Sequence, residues 1–475
     1  MKRQKKLILL TGILAVCVVV ALGISRIDFE EKMTGEETAI IDVDAGDITG
    51  LSWNYEEETM DFSKGDDGWV YDKDSKMPVD QDLLGEIAEN LSAITSDKKV
   101  EEPQSMSVYG LDEPRYEISV ETADETYAIS VGDESYSDGE VYISSGDGYV
   151  YLAGSEILDY IAYSLLDCVQ LEEVPDMDSI SEIDIETDSD LALVYEEDSG
   201  YTYSDEYTYF MKEGDDYRAL DNDSASELFD TLSGIAWNGC MDYYAEDSEL
   251  ADYGLEDPDG TVSVTYTPAA EEGEEDESST EEEKFEYSVG EAAGIYYARL
   301  KDSRIIYNIT EEAYNAVVEA SYENLQPDEV ILLDWDTVEK IEAEVDGDVY
   351  TVEMEKETGE GYSYTIDGVA AAFDNVLDGI DGLRITSADG EETEDDDEAS
   401  EIPDEDPTTD GREEELKLTF YRNTEENSKI ELTFYRYDGS WCVYYLKGEN
   451  INYIDRESVV DLKEAINAAI LNVTD

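Results

Sequence analysis

Two short stretches of this chain have the same order of residue types, Tyr109-Gly110-Leu111-Asp112-Glu113-Pro114 and Tyr253-Gly254-Leu255-Glu256-Asp257-Pro258. They begin 144 positions apart, and an alternating, strand-like run follows each of them. This spacing suits a small domain and is too long for one turn of a solenoid. The chain therefore contains an internal repeat, and the extent of that repeat determines the domain organisation.

The order of predicted elements around these stretches occurs three times. In each copy, short strands lead to an amphipathic helix, and further alternating strands lead to a second helix. In the first copy the alternating runs Tyr116–Val120 and Tyr127–Val131 predict a hairpin, and the second helix is predicted from Ser155. The helix after Pro78 is the clearest, with Asp80 as its expected N-cap and an apolar stripe along it; the third copy has its first helix at 369–383. We also predict that one repeat position is shared by three tyrosines, Tyr142, Tyr296 and Tyr444.

The predicted fold is α+β, with an N-terminal transmembrane helix followed by three repeated units of antiparallel β-sheet with packed helices. The third unit lacks the Tyr-Gly-Leu stretch and has an acidic run instead, which we predict to be disordered because it cannot bury enough apolar surface. The predicted boundaries are 1–26 for the basic tip and the anchor, 27–175 for repeat 1, 176–328 for repeat 2 with an acidic loop at 271–283, and 329–475 for the divergent repeat 3 with its acidic insertion at 389–415.

The N-terminus is predicted to be a membrane anchor. Leu7 to Ile24 is an uncharged apolar run of 18 residues with basic residues before it, long enough to span a bilayer with its N-terminal end in the cytoplasm. We expect a single-pass protein of the cell membrane whose body is extracytoplasmic. A cleaved signal and a lipoprotein site at Cys17 are the alternatives, and the sequence leaves cleavage of the anchor open.

The chain is very acidic, with 125 Asp and Glu against 29 Lys and Arg and a net charge of −96. Such a field repels phosphate backbones, so we expect no nucleic-acid partner. The acidity is read either as a solvated surface or as a means of capturing cations loosely, or a basic partner. Asp42–Asp47 and Asp346–Asp348 lack the spacing of a calcium loop, so no specific metal site is predicted.

The sequence contains no histidine, which excludes Ser-His-Asp and Cys-His nucleophile systems and HExxH zinc sites. Carboxylates are so dense that a glycosidase-like pair would occur by chance. We therefore predict no catalytic residue, no cofactor and a non-enzymatic role. Outside the anchor there are three cysteines, Cys168, Cys240 and Cys442, which form either one disulfide and one thiol or three buried thiols.

The repeated stretch itself has a structural explanation: glycine permits a left-handed turn, leucine can fill a core and proline leads into a strand. The alternative is that the stretch docks a partner through an exposed tyrosine. The residues concerned are Tyr109, Gly110, Leu111 and Pro114 in repeat 1 and Tyr253, Gly254, Leu255 and Pro258 in repeat 2. Many of the 36 tyrosines recur at period two, which is typical of a half-wetted sheet face, with a carbohydrate platform as the alternative.

The chain resembles an uncharacterised bacterial family, known only as a domain of unknown function, of single-pass extracytoplasmic proteins. The resemblance lies in the anchor, the helix after Pro78, and the two Tyr-Gly-Leu stretches with the Val131-Gly132 and Val289-Gly290 pairs that follow them. Trp53 and Gly68-Trp69 add to it, whereas repeat 3 matches in element order only.

Members of that family are commonly found beside ABC-type transporters of the gliding-motility kind. The resemblance therefore implies an accessory role in an exporter-like complex, with transporter subunits or other envelope proteins as partners. The alternative function is a surface module that binds a cationic or glycan ligand of the cell envelope. The sequence leaves the ligand, the partner's identity and the oligomeric state open.

Overall fold

The computed structural model describes residues 33–34, 37–56, 58–135, 139–197, 199–270, 281–357, 361–385, 403, 407–446 and 450–474. The predicted anchor lies outside the described residues, as do most of the 271–283 loop and most of the 389–415 insertion. Within the described part of the chain, no helix is both long enough and apolar enough to cross a membrane.

Antiparallel β-sheet dominates the fold, and the first large sheet has nine strands in the order β1-β7-β11-β10-β9-β8-β3-β4-β5. A separate two-stranded ribbon pairs β2 with β6. The helix α1 (Gln81–Ser92) lies between β5 and β6 in the sequence. The strands are β1 (Met33–Thr34), β2 (Thr38–Asp42), β3 (Ile48–Tyr55), β4 (Glu58–Gly65), β5 (Gly68–Tyr71), β6 (Ala93–Ser96), β7 (Lys98–Val100), β8 (Tyr116–Thr122), β9 (Thr126–Glu134), β10 (Glu140–Ser144) and β11 (Val150–Gly154).

In the second large sheet, seven strands follow one another in the order β15-β14-β13-β12-β17-β18-β19. These strands are β12 (Met177–Glu186), β13 (Leu191–Tyr195), β14 (Tyr209–Glu213), β15 (Asp216–Ala219), β17 (Gly260–Pro268), β18 (Glu283–Ala292) and β19 (Ile295–Leu300). Two short strands, β16 (Gly239–Asp242) and β20 (Ile306–Asn308), are hydrogen-bonded neighbours. The helices are α2 (Asn222–Ser233), α3 (Glu311–Val318) and the short α4 (Tyr322–Leu325).

The third sheet has eight strands in the order β24-β23-β22-β21-β25-β26-β27-β28. Its strands are β21 (Val338–Val345), β22 (Asp348–Lys356), β23 (Tyr362–Ile366), β24 (Val369–Ala371), β25 (Glu413–Arg422), β26 (Lys429–Arg436), β27 (Trp441–Leu446) and β28 (Asn450–Asp455). Its helices are α5 (Asp374–Asp381) between β24 and β25, and α6 (Arg456–Thr474) after β28.

All three sheets are assembled in the same way. Each contains two meanders joined through their first strands, so that β3 pairs with β8, β12 with β17 and β21 with β25, all antiparallel. Apolar residues buried in the core lie opposite each other at these junctions, as in Leu51 and Val120, Ile183 and Val264, and Ile341 and Phe420. The two successive groups of strands predicted from the sequence are therefore present in all three sheets, including the one without a Tyr-Gly-Leu stretch.

The chain nevertheless divides into two compact units, and the first of them is discontinuous. It comprises the described residues up to Glu172 together with Gly239–Glu246 and Arg304–Tyr307. The Tyr307 hydroxyl donates to Glu172 Oε2 at 2.9 Å and accepts from the Glu172 backbone N–H at 2.9 Å. The predicted ranges 27–175 and 176–328 did not foresee these two segments, because contacts between distant parts of the chain leave no periodic pattern in a sequence.

The second compact unit contains the described residues of Glu173–Asn238, of Asp247–Ser303 and of the chain from Asn308 onwards, and in it the second and third sheets each have a hydrophobic core. The long connection from β13 to β14 enters the core of the third sheet through Tyr203, whose side chain is 6% exposed. The Asp334 backbone N–H donates to the Tyr203 carbonyl oxygen at 3.0 Å. This connection explains why the second and third sheets form one unit.

Several predicted elements differ from the structure. The helix predicted at 369–383 begins only at Asp374, because Asp367-Gly368 forms a two-residue hairpin turn, with φ of 49° and 82°, and the following residues pair as β24. The insertion predicted to extend to residue 415 ends earlier, since Glu413–Glu415 begin β25. The helix predicted from Ser155 is a 3₁₀ helix over Ser155–Ile161.

Candidate partner-binding groove

The repeated stretch of repeat 1 is a corner docked onto the following hairpin. A 3₁₀ turn over Met106–Val108 ends at Tyr109, and Gly110 has a φ of 68°. The Asp133 backbone N–H donates to the Tyr109 carbonyl oxygen at 2.8 Å, and a Cβ on Gly132 would overlap that oxygen. The glycine of the Val131-Gly132 pair is therefore required by a close backbone approach.

The second stretch has the same construction. A 3₁₀ turn over Leu250–Tyr253 is capped by Gly254 in the left-handed region, with a φ of 69°. A Cβ on Gly290 would overlap the carbonyl oxygen of Gly254, one residue further along the corner than the Tyr109 oxygen that Gly132 approaches. Both corners are thus docked through a Val-Gly pair, whose glycine lies 22 residues after Gly110 in the first corner and 36 residues after Gly254 in the second.

The tyrosine of the first corner is buried, with 1% exposure, and its ring meets that of Tyr142 edge-on at a centroid distance of 5.1 Å. In the second corner Tyr253 is partly buried, and the buried residue is Leu255, with 3% exposure. Leu111, Pro114 and Pro258 are partly buried. These positions fit the structural interpretation, because a buried Tyr109 presents no ring to a partner.

The alignment of tyrosines between the repeats needs a correction of one residue. Tyr253 meets Tyr297 edge-on at 5.2 Å, as Tyr109 meets Tyr142. The counterpart of Tyr142 at the corner is therefore Tyr297 and not Tyr296. Adjacent residues of a strand point to opposite faces, so a shift of one residue exchanges a corner contact for a contact on the other face.

The three cysteines of the described residues are free and buried. Burial raises the pKa of Cys168, Cys240 and Cys442 to about 12 in each case. The structure therefore has the second of the two arrangements left open by the sequence, three buried thiols. Such thiols are protonated at neutral pH and react poorly as nucleophiles.

Titratable side chains do not gather into a metal site within the described residues, where no group of three or more His, Cys, Asp or Glu side chains could hold an ion. The buried polar side chains of the same part of the chain are serines and threonines. The absence of catalytic, cofactor and metal-binding residues stays a prediction.

An open groove lies between α2 and α3 in the second compact unit. Its volume is about 300 Å³. Its walls are consecutive turns of the two helices, and α4 adds two lining residues. The lining residues are Ser224, Glu227, Leu228 and Thr231 of α2, Glu312, Asn315, Ala316, Glu319 and Ala320 of and after α3, and Asn324 and Leu325 of α4.

The groove has an apolar floor and an acidic rim. Leu228, Ala316 and Ala320 are partly buried and Leu325 is 5% exposed, whereas the three glutamates are exposed. The lining residues that the structure describes include no lysine or arginine. The groove can therefore accept an apolar side chain while favouring positive charge around it.

Local sequence fixes where the two helices begin. Asp221 caps α2 by accepting from the Ser224 backbone N–H at 2.9 Å, and Thr310 caps α3 by accepting from the Ala313 backbone N–H at 3.1 Å. Phe229 and Leu232 of α2 and Val317 of α3 belong to the core of the second sheet. The groove residues lie beside these core-facing positions, along the seam between the helices.

The second corner also holds α3 in place. Asp259 follows Pro258, the proline of this corner. Its Oδ2 accepts from the Tyr314 hydroxyl at 2.9 Å and from the Glu291 backbone N–H at 3.0 Å. Burial, helped by this carboxylate, raises the pKa of Tyr314 to about 12. In repeat 1 the same place in the sequence is occupied by Arg115, which cannot accept a hydrogen bond.

Comparison with known families gives one result. The model of a domain of unknown function, DUF4340, matches the chain twice, over residues 69–241 and 210–404. Together the matches cover well over half of the chain. The chain belongs to the DUF4340 family. Each DUF4340 match contains one Tyr-Gly-Leu corner, and the first ends within Gly239–Glu246, one of the segments that complete the first compact unit.

No curated protein and no solved structure matches the chain. The family description of DUF4340 carries no activity, so the geometry has to supply the functional argument. Sequence reasoning identified the helices that form the groove but not the groove itself. Sequence reasoning missed the difference in length between two corresponding helices. The helix α3 has eight residues, whereas α6, the last helix of repeat 3, has 19.

Proposed function

We propose that this DUF4340 protein is a non-enzymatic, membrane-tethered extracytoplasmic protein that binds a partner protein, and that the partner is a subunit of an ABC-type transport system. The observation that carries the proposal is the groove between α2 and α3, an apolar depression surrounded by Glu227, Glu312 and Glu319. A concave apolar surface on a highly charged protein is typical of a site for another macromolecule.

The tether follows from the sequence. Leu7 to Ile24 would place the acidic body outside the cytoplasm with the membrane beside it. A partner in the same membrane would be held at a high effective concentration, so a contact of modest size would be sufficient.

Affinity purification from native membranes in mild detergent tests this proposal. The full chain should recover a transporter subunit, and an unrelated protein with a matched single-pass anchor should not. Recovery of no transporter component, or the same recovery with the unrelated anchor, would contradict it.

The second candidate function is a surface module for a cationic or glycan ligand of the cell envelope. It is favoured by an exposed aromatic ring just before β11, where Tyr149 is 36% exposed and Lys99 Nζ lies 3.5 Å from its ring centroid. The soluble body should then bind purified wall material, and added salt should weaken a charge-driven interaction. Absence of binding at low salt would exclude this candidate.

A further inference from the structure

The helix pairs of the second and third sheets differ in whether their two helices pack against each other, and this difference indicates which kind of ligand the groove binds. In chain order, α2 follows β15, the fourth strand counted from β12, and α5 follows β24, the fourth counted from β21. Likewise, α3 follows β20, the fourth strand counted from β17, and α6 follows β28, the fourth counted from β25. Therefore α2 corresponds to α5, and α3 corresponds to α6. In the third sheet the pair is closed: a Cβ on Gly379 of α5 would lie only 3.2 Å from Leu462 Cδ1 of α6.

The closed pair is sealed by apolar side chains. From α5 it buries Val376, Leu377 and Ile380, and from α6 it buries Val459, Leu462, Ile466 and Ala469. The last four are spaced along one face of a helix, at i, i+3, i+7 and i+10. In the second sheet the apolar residues that line the groove on this side are Ala316 of α3 and Ala320 just after it, and their side chains are too small to close the space to Leu228.

We propose that the groove binds an amphipathic, positively charged helix of the partner protein, which fills the space between α2 and α3. This inference rests on the proposed function and specifies its partner. The facing residues of α2 run from Ser224 to Thr231, about two helical turns, so the bound segment needs about two turns of its own. Its apolar side chains would meet Leu228 and Leu325, as helix-in-groove recognition requires.

Charge decides between a cationic partner and a second copy of this chain. The rim presents Glu227, Glu312 and Glu319, and the net charge of the whole chain is −96. Two copies would repel each other, whereas lysines or arginines on the polar face of the partner helix would be attracted to all three carboxylates. The occupant is therefore a basic helix of another protein.

The test uses the full chain in detergent and a fluorescent amphipathic peptide of about 14 residues with leucines on one face and lysines on the other. Fluorescence anisotropy should show binding that weakens with salt. Ala316→Trp, which fills the groove without changing charge, should weaken binding at least about tenfold. Ala370→Trp, at an exposed alanine on β24, should leave it unchanged.

A second pair of variants guards against misfolding of Ala316→Trp. Glu227→Lys with Glu319→Lys should also weaken binding about tenfold or more. Glu86→Lys with Glu89→Lys changes two exposed glutamates on α1 by the same charge and should have a much smaller effect. If the groove variants bind the peptide as their controls do, attraction to the acidic surface as a whole explains the binding and the inference is wrong.

The outcome is separable from that of the proposed function. Failure of the wild-type chain to recover a transporter subunit from membranes would reject the proposed function while leaving the peptide result intact. Equal peptide binding by all variants would reject the groove inference even if wild-type recovery succeeds. Dimerisation of the wild-type chain that Ala316→Trp abolishes would also overturn the inference, because the occupant would then be a second copy.

Discussion

The helix pairs of the second and third sheets have the same place in the fold but different surfaces. In the third sheet, α6 extends for 19 residues and seals the pair with buried leucine, isoleucine and valine. In the second, α3 ends after eight residues and leaves an open groove rimmed by glutamates. The two repeats share their strand order. The length and side chains of one helix decide whether the surface between the two helices is buried or open to a partner.

The largest expected effect concerns the closed pair. Leu462→Ala should lower the local stability of α6 by about 3 kcal/mol, because Leu462 is 2% exposed and its removal leaves a cavity. Leu228→Ala, in the open groove, should cost about 1 kcal/mol or less, since water can already reach that side chain. Hydrogen exchange of peptides from α6 and α2 measures both. Equal losses would mean that the groove is packed like the closed pair.

The next effect concerns the corner, which repeat 2 has and repeat 3 lacks. Gly290→Ala should destabilise repeat 2 by about 2 kcal/mol, because the added methyl group would overlap the backbone of Gly254. Exchange should increase in the corner and also in α3, which Asp259 links to it through Tyr314. Gly439→Ala is the control, since a Cβ there would meet nothing within 4 Å. Unchanged exchange in α3 would show that the corner does not support the groove.

A smaller effect is expected from the ion pair that joins β25 to α6 in repeat 3. Arg456 Nη2 lies 2.6 Å from Glu415 Oε1 and Arg456 Nε lies 3.0 Å from Glu415 Oε2, with the Glu415 side chain 11% exposed. Arg456→Met should cost about 1 to 2 kcal/mol, because it leaves a largely buried carboxylate without its partner. Adding Glu415→Gln should restore part of the loss. Urea denaturation of the single and double variants tests this, and a double variant less stable than Arg456→Met would contradict it.

The smallest effect concerns the C-terminal end of α5. Burial raises the pKa of Asp381 although its carboxylate accepts the Trp335 indole N–H at 3.0 Å. Because the folded-state pKa is above the unfolded value, the stability contributed by Asp381 is fully present below the unfolded pKa and is lost as pH rises through the folded pKa. Asp381→Asn should therefore become more stable relative to wild type as the pH rises above about 4, the unfolded-state pKa of an aspartate.

Melting temperatures at several pH values measure that difference, with Asp378→Asn at the same helix as the comparison. A stability difference between Asp381→Asn and wild type that does not change with pH would mean that Asp381 titrates as it does in the unfolded chain.

The sequence was a good guide wherever structure depends on neighbouring residues. Asp80 caps α1 as predicted, accepting from the backbone N–H groups of Asp82 and Leu83. The hairpin of Tyr116–Val120 with Tyr127–Val131 forms as its alternating pattern indicates. It was a poorer guide at the helix predicted over 369–383, where apolar spacing outweighed the Asp367-Gly368 turn signal.

By itself, the sequence determined that this protein is a repeat of α+β units with antiparallel sheets, since periodicity, caps and turns act over a few residues. Only the tertiary structure decided that Tyr109 is buried, that Gly239–Glu246 completes the first compact unit and that a groove lies beside α3. Burial and open space depend on side chains brought together from distant positions. Two repeats with the same local pattern can therefore differ in whether their helices close against each other.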